Sequence, residues 1–232
     1  MILLLGDIHG EFSWLRSELI SKDIRDCTMI CVGDFGVGFV GGLRREQNRL
    51  EKLNYILAKR NVNLLSIRGN HDDPAYWNEI DLGFSNIELI PDYTFREIEG
   101  EKFFFVGGGI SIDRKFRTPN VSYWNDETVC LIEGFVRECD VLVTHSAPRW
   151  IGPNDKKGIK FYCDRDPTLW DECVKEREDI GRLHELAKPK VSYAGHFHVS
   201  ATVINDNSRH YILDINEIKE HTKVEGNPLD TI

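Results

Sequence analysis

The stretch "VNLLSIRGNHDDP", residues 62–74, runs an apolar segment into a turn that holds Asn70, His71, Asp72 and Asp73. A short apolar run closed by a turn signal reads as a buried strand of a layered sheet. The turn is less ordinary, because a soluble protein has no structural need for so many ligand-type groups side by side. Asp72 or Asp73 can cap a helix that starts at Pro74, which accounts for one carboxylate and leaves the rest. The same arrangement recurs as "ILLLGDIHG" (2–10), "MICVGDFG" (29–36), "DVLVTHSAP" (140–148) and "VSYAGHFH" (191–198).

Between the five turns, strand-like runs alternate with helical periodicity, the pattern of a layered α/β domain. "EFSWLRSELIS" places Phe12, Leu15, Leu19 and Ile20 on one stripe, and "LRREQNRLEKLNYILAKR" does the same with Leu43, Leu50, Leu53, Ile56 and Leu57. From Ile87 to Val106 the pattern shortens to strands with a hairpin turned near Gly100, so a second sheet is expected to pack on the first. Helices are expected near Glu127–Glu138 and over Leu169–Ala187, and "SATVINDNSRHYILDI" reads as a closing hairpin. Stretches near 108–126 and 147–167 break the pattern and read as loop insertions, the kind of segment that forms lids or binding loops. No repeat or low-complexity linker interrupts the chain, so residues 1–215 read as a single domain and 216–232 as a polar, loosely held tail.

In open α/β sheets, functional side chains collect beyond the carboxyl ends of strands. Asp7 and His9 follow the first strand, Asp34 the second, Asn70 and His71 the third, His145 the run "DVLV", and His196 with His198 the run "KVSYA". Taken singly, each turn has a plain structural reading: an Asp holding its own backbone between glycines, or a hydrogen-bonded His at a strand end. In "GHFH", alternation along a strand end puts both imidazoles on the same side. Jointly the turns say more, because five of the eight histidines fall in them. His184, His210 and His221 lie outside and read as ordinary helix, hairpin and tail residues. One convergent site is the expectation.

With "GDIHG", "GDFG", "GNHDD", "THS" and "GHFH" in this order, the chain resembles the calcineurin-like metallophosphoesterases from Asp7 to His198. The resemblance implies an α/β fold, a two-sheet β-sandwich flanked by helices. It implies a hydrolase of phosphate esters, phosphatase or phosphodiesterase, with a dinuclear metal centre. Carried over by position, Asp7, His9 and His198 would hold one ion, Asn70, His145 and His196 the other, and Asp34 would bridge them. Carboxylate, imidazole and amide donors without thiolate suit two divalent ions, Mn²⁺ first, with Fe, Zn²⁺ or Ni²⁺ as alternatives. Such a pair would share a solvent molecule, lower its pKa and aim it in line at phosphorus. His71 takes the part of general acid, with Asp72 to keep its imidazole oriented and protonated.

"GDIHGEF" is similar to the opening of protein serine/threonine phosphatases and dinucleoside polyphosphate hydrolases, whose second motif continues into Asp-Arg-Gly with the Arg gripping phosphate. Here that motif reads "GDFGVGFVGG" and has no Arg, a departure from the protein-phosphatase pattern. Arg114 and Arg117 of "DRKFR" are the candidate replacements, since a guanidinium fork matches phosphate oxygens. Tyr123 or Trp124 of "VSYWND" offers a wall for a base or aryl group, and Lys156, Lys157 and Lys160 offer a basic rim.

With 232 residues, 41% of them hydrophobic, the chain can bury a full core as one domain. A formal net charge of -9 disfavours passive attraction to nucleic acid or anionic membrane, and no basic stripe appears. A phosphorylated small molecule or nucleotide-like substrate is therefore expected ahead of nucleic acid, with a nuclease as the alternative and an inactive protein-binding scaffold a more distant one. The six cysteines form no CxxC pair, and "MILLLGD" lacks the basic flank and length of a signal segment. A cytoplasmic location without membrane contact is the expectation.

Overall fold

The strands that end in the five turns are shared between two sheets rather than set side by side in one. In the computed structural model, which describes residues 1–39, 41–153, 155–205 and 208–223, the first half runs β1 (Ile2–Leu5), α1 (Phe12–Ser21), β2 (Cys27–Cys31), α2 (Leu43–Lys59), β3 (Val62–Ser66), α3 (Ala75–Asn78), β4 (Ile87–Leu89), β5 (Thr94–Ile98) and β6 (Glu101–Val106). The second half runs β7 (Val141–Thr144), α4 (Ile159–Cys163), α5 (Leu169–Ala187), β8 (Val191–Ala194), β9 (Ala201–Asn205), β10 (Ser208–Ile212) and β11 (Ile218–Glu220). One sheet has the order β11-β1-β2-β3-β4 and the other β5-β6-β7-β8-β10-β9. Within the first, β1, β2 and β3 are parallel, with Leu3 opposite Met29 and Met29 opposite Leu64, so the turns after them come out level. Parallel pairing of β6, β7 and β8 does the same for the second sheet.

The strands read as unbroken apolar runs because both of their faces are covered. Leu3, Leu5, Met29 and Leu64 pack outward on Leu15, Leu19, Leu50, Leu53 and Leu57 of α1 and α2. Ile2, Leu4, Ile30 and Leu65 pack inward on Phe103, Phe105, Val141, Val143 and Tyr193 of the second sheet. Phe104 and Leu142 face the other way, onto Leu183 and Ala187 of α5. The result is the expected two-sheet α/β sandwich with helices on its outer faces.

Several segments differ from the sequence expectation. Ile20 and Leu43, placed on the buried stripes of α1 and α2, are exposed because each lies at the end of its helix, beyond the sheet. The helix expected near 127–138 is reduced to a single 3₁₀ turn, Glu133–Phe135. The cause is Arg68, whose guanidinium donates to the carbonyls of Asp126, Glu127 and Thr128 at 3.0, 2.8 and 3.1 Å. Those are the acceptors that a helix starting there would need for its own N–H groups. The second insertion carries the short helix α4. Of the tail expected over 216–232, residues 224–232 lie outside the described residues; within 216–223, β11 pairs antiparallel with β1, and His221 is buried between Glu101 Oε2 (3.0 Å) and Tyr193 OH (2.9 Å).

His184 and His210 are buried side by side, ring centroids 5.7 Å apart, with Trp150 edge-on to both. Burial pushes each imidazole down to about 4. The unfolded chain, with ordinary histidines near 6.5, then binds more protons than the folded one between those values. Stability should therefore fall as pH drops below about 6.5, before most carboxylates titrate. Urea midpoints measured from pH 7.5 to 5 check this, and the double variant His184→Gln, His210→Gln should flatten the slope.

Candidate metal centre

Every motif side chain sits where a strand has just stopped, and the local backbone is unusual there. His9, Asp34, His196 and His198 have φ of 45°, 49°, 68° and 52°. A left-handed conformation costs a non-glycine residue roughly 1–3 kcal/mol, so such positions persist where the surroundings hold them and tend to mark functional sites. Two motif glycines are needed for close approach: a Cβ at Gly69 would overlap Asp34 Oδ1, and one at Gly195 would overlap Asp7 Oδ1. The two histidines of "GHFH" do not share a strand face. The chain leaves β8 at Ala194 and turns at both of them, sending each imidazole to a different group.

One group joins Asp7, His9, Asp34 and His198, whose ligand atoms all lie within 4.8 Å of one another. His9 Nδ1 is 3.7 Å from Asp34 Oδ2, and His198 Nε2 is 3.4 Å from Asp7 Oδ2 and 3.2 Å from His9 Nε2. The second group joins Asn70, His145 and His196. Asn70 Oδ1 is 2.7 Å from His196 Nδ1 and 3.2 Å from His145 Nε2, and those two nitrogens are 3.2 Å apart. Asp34 stands between the groups: Oδ2 faces His9 while Oδ1 lies 3.3 Å from His145 Nε2.

Asp7 and Asp34 have no exposure at all, yet Asp7 Oδ1 and Asp34 Oδ2 meet no hydrogen-bond donor. Their other oxygens accept from backbone N–H groups of His196 (3.0 Å) and His71 (2.7 Å). His145 donates from Nδ1 to the Val32 carbonyl at 2.9 Å, which turns Nε2 toward the cluster. Burial opposes charge on His145, but Asp34 and Asp7 outweigh it and lift the imidazole to about 9. Burial likewise opposes charge on Asp34, and His145, His71 and His9 overcome it, holding that carboxyl well below its usual range. The cluster favours positive charge at its middle.

Comparison with known proteins identifies the family. The family model described as "Calcineurin-like phosphoesterase" matches residues 1–200. The chain belongs to this family. No curated protein matches it closely in sequence. Among solved structures, this phosphoesterase is similar to the protein TT1561 of Thermus thermophilus, at 12% identity and a TM-score of 0.51, covering 92% of this chain and 88% of that one. It is also similar to a Staphylococcus aureus protein assigned as a 5′-nucleotidase, at 11% identity and a TM-score of 0.53, covering 94% of this chain. The phosphoesterase spans about half of that longer chain, 49%. At such identities the likeness is one of fold.

As a calcineurin-like phosphoesterase the chain is a metal-dependent phosphoester hydrolase, and its donor set fits divalent cations. Two buried carboxylate oxygens without donors are the kind of atoms a cation satisfies, and imidazole with carboxylate and amide oxygen is a set that borderline ions accept. Sequence reasoning missed what aims Asn70. Its Nδ2 donates to Ser111 Oγ at 3.0 Å, and Ser111 donates from Oγ and N to Glu127 at 2.9 and 2.7 Å. All three are buried, and this chain of contacts fixes the amide with Oδ1 toward His145 and His196. Ser111 sits in an irregular insertion, and the only signal in the sequence was the "GGGISID" break itself.

The remaining candidates divide. His71 lies at the edge of the cluster, 4.7 Å ring to ring from His9, and Phe39 stacks on it at 5.8 Å. Burial pushes His71 down to about 4. Arg117 reaches it, with Nη2 2.6 Å from His71 Nε2, while its Nε pairs with Asp113 at 2.7 Å. Arg114 does not: it is tied to Asp166 (2.6 Å), Glu172 and Thr168, joining the first insertion to the second. Asp72, expected to orient His71, makes no hydrogen bond to that ring. Its carboxylate accepts from the N–H groups of Phe35, Gly36, Val37 and Gly69, fastening the third turn to the second. Burial and the Asp34 charge push Asp72 up to about 7 against those donors.

Ser111→Ala should weaken Mn²⁺ binding roughly tenfold, as loss of a group that orients a ligand does, and should cost roughly 1–3 kcal/mol of stability because Asn70 and Glu127 lose a buried partner; calorimetric titration of the folded variant with Mn²⁺ and a denaturant titration read the two effects. Asp72→Asn should cost roughly 1–3 kcal/mol in a denaturant titration, because an amide NH₂ must face N–H donors. It should leave the dependence of kcat on the leaving group unchanged, which loss of a partner to His71 would not.

Proposed function

We propose that this phosphoesterase is a dinuclear enzyme hydrolysing phosphorylated small molecules or nucleotide-like esters. The observation that carries the reading is Asp34, a fully buried carboxylate with one oxygen toward each ligand group. Asp7, His9, Asp34 and His198 would hold one ion, and Asp34, Asn70, His145 and His196 the other. Divalent cations bound there supply the Lewis acidity that makes water nucleophilic near neutral pH and offsets phosphate charge. Mn²⁺ is the first choice on donor type, ahead of Fe, Zn²⁺ or Ni²⁺.

His71 serves as the proton donor to the leaving oxygen. It adjoins the cluster without belonging to it, and its backbone N–H donates to Asp34 Oδ1. In the structure described here His71 Nε2 accepts from Arg117, so the ring is neutral at that nitrogen. Substrate phosphate competes for the guanidinium, and the nitrogen that Arg117 releases is then open to a proton and to the leaving group. Arg117 thus binds phosphate and gates His71, the part for which the "GDFGVG" turn has no arginine. Six unpaired cysteines suit a reducing, cytoplasmic setting. No described helix is long and apolar enough to cross a membrane.

Asp34→Asn should weaken binding of both ions and abolish turnover. His71→Ala should keep the full metal content and lower kcat roughly 10²–10⁴-fold, most for esters with poor leaving groups. Metal analysis paired with assays on an aryl phosphate monoester, an aryl diester, a nucleotide panel and a single-stranded oligonucleotide, all with Mn²⁺, checks both. Loss of metal from His71→Ala, or a well-folded wild type that cleaves none of these esters, would overturn the reading.

A further inference from the structure

The second insertion carries three lysines, and one of them reaches the centre. Lys157 and Lys160 are exposed, whereas Lys156 is half-buried with Nζ 3.3 Å from His196 Nδ1. That same nitrogen faces Asn70 Oδ1 at 2.7 Å and His145 Nε2 at 3.2 Å, so the ammonium reaches the heart of the second ligand group.

The loop is held on both sides of this lysine. Upstream, Arg177 of α5 donates to the carbonyls of Ala147, Pro148 and Pro153 at 3.1, 3.0 and 2.7 Å. Downstream, Ile159 is buried against Ile110 and Leu169. Farther along, Asp166 is clasped by Arg114 from the first insertion. A lysine side chain gives up much rotamer freedom when fixed, and a part-buried ammonium needs partners. Lys156 has three N–H donors and one hydrogen bond, and no carboxylate among the described residues pairs with it. His196 Nδ1 has a single lone pair, so a cation bound there would turn the ammonium out toward whatever anion lies over the centre.

We propose that Lys156 is a substrate-binding residue, delivered by the second insertion, whose ammonium grips the phosphoryl oxygens of the ester together with Arg117. This rests on the functional reading above and adds a residue outside all five motifs. Phosphate recognition is then divided between two loops: Arg117 from the first insertion and Lys156 from the second.

The test compares Mn²⁺-loaded wild type with Lys156→Gln, Lys156→Arg and the exposed control Lys157→Gln. The measurements are calorimetric binding of inorganic phosphate, binding of Mn²⁺, and kcat and KM on an aryl phosphate monoester. Lys156→Gln should raise both the Kd for phosphate and KM roughly ten- to hundredfold, the range for a lost charged hydrogen bond. Its affinity for Mn²⁺ should stay within about twofold of wild type, Lys156→Arg should recover much of the phosphate binding, and Lys157→Gln should match wild type. Unchanged phosphate affinity in Lys156→Gln overturns the proposal, and tighter Mn²⁺ binding with unchanged phosphate affinity would make Lys156 a competitor of the metal instead. A wild type that neither binds phosphate nor cleaves the ester takes down the functional reading and the role of Lys156 together, whereas an active wild type matched by Lys156→Gln removes only the latter.

Discussion

Two carboxylates sealed from water, each with an oxygen that no donor reaches, govern the construction around them. Burying such a charge is costly unless something positive answers it, and the protein answers only in part. Backbone N–H groups take one oxygen of each, and three imidazoles lie within 4 Å of the two carboxylates. The rest of the demand is left for a bound cation. Glycines at 69 and 195 leave room for the carboxylates, and left-handed backbone at His9, Asp34, His196 and His198 is the strain tolerated to gather them.

The sandwich makes that gathering possible. A single sheet edge presents its turns in a row, whereas two packed sheets present two rows that face each other. Asp7, Asp34 and Asn70 come from one row, and His145, His196 and His198 from the other. The apolar filling of Ile30, Leu65, Phe105 and Val143 between the sheets therefore also sets how far apart the rows stand. Change in that filling reaches the centre through the strand ends, without any altered ligand.

How much of this was legible in the sequence follows a physical divide. Strands ending in ligand-type turns are local patterns, so Asp7, His9, Asp34, Asn70, His145, His196 and His198 could be named from short stretches, and they do converge. What a side chain reaches across space is not local. Arg114 and Arg117 are the same residue type three positions apart, and only the turn between them sends one to His71 and the other to Asp166. Asp72 adjoins His71 in sequence, but the tight turn points its carboxylate into a ring of backbone donors. The missing helix after Glu127 depends on Arg68, nearly sixty residues earlier, claiming its carbonyls. Of the three lysines read as a basic rim, that Lys156 alone turns to His196 leaves no trace in the composition of its loop.

β1 carries the turn that supplies Asp7 and His9, and its outer neighbour is β11, with Leu3 opposite Glu220. During synthesis the first of these emerges from the ribosome long before the second. For most of that time the leading strand of the catalytic sheet has one flank open to any extended segment that passes. A nascent chain of this kind is therefore open to wrong pairing at the strand that leads into Asp7 and His9, and β11, held by the buried imidazole of His221, ends that exposure.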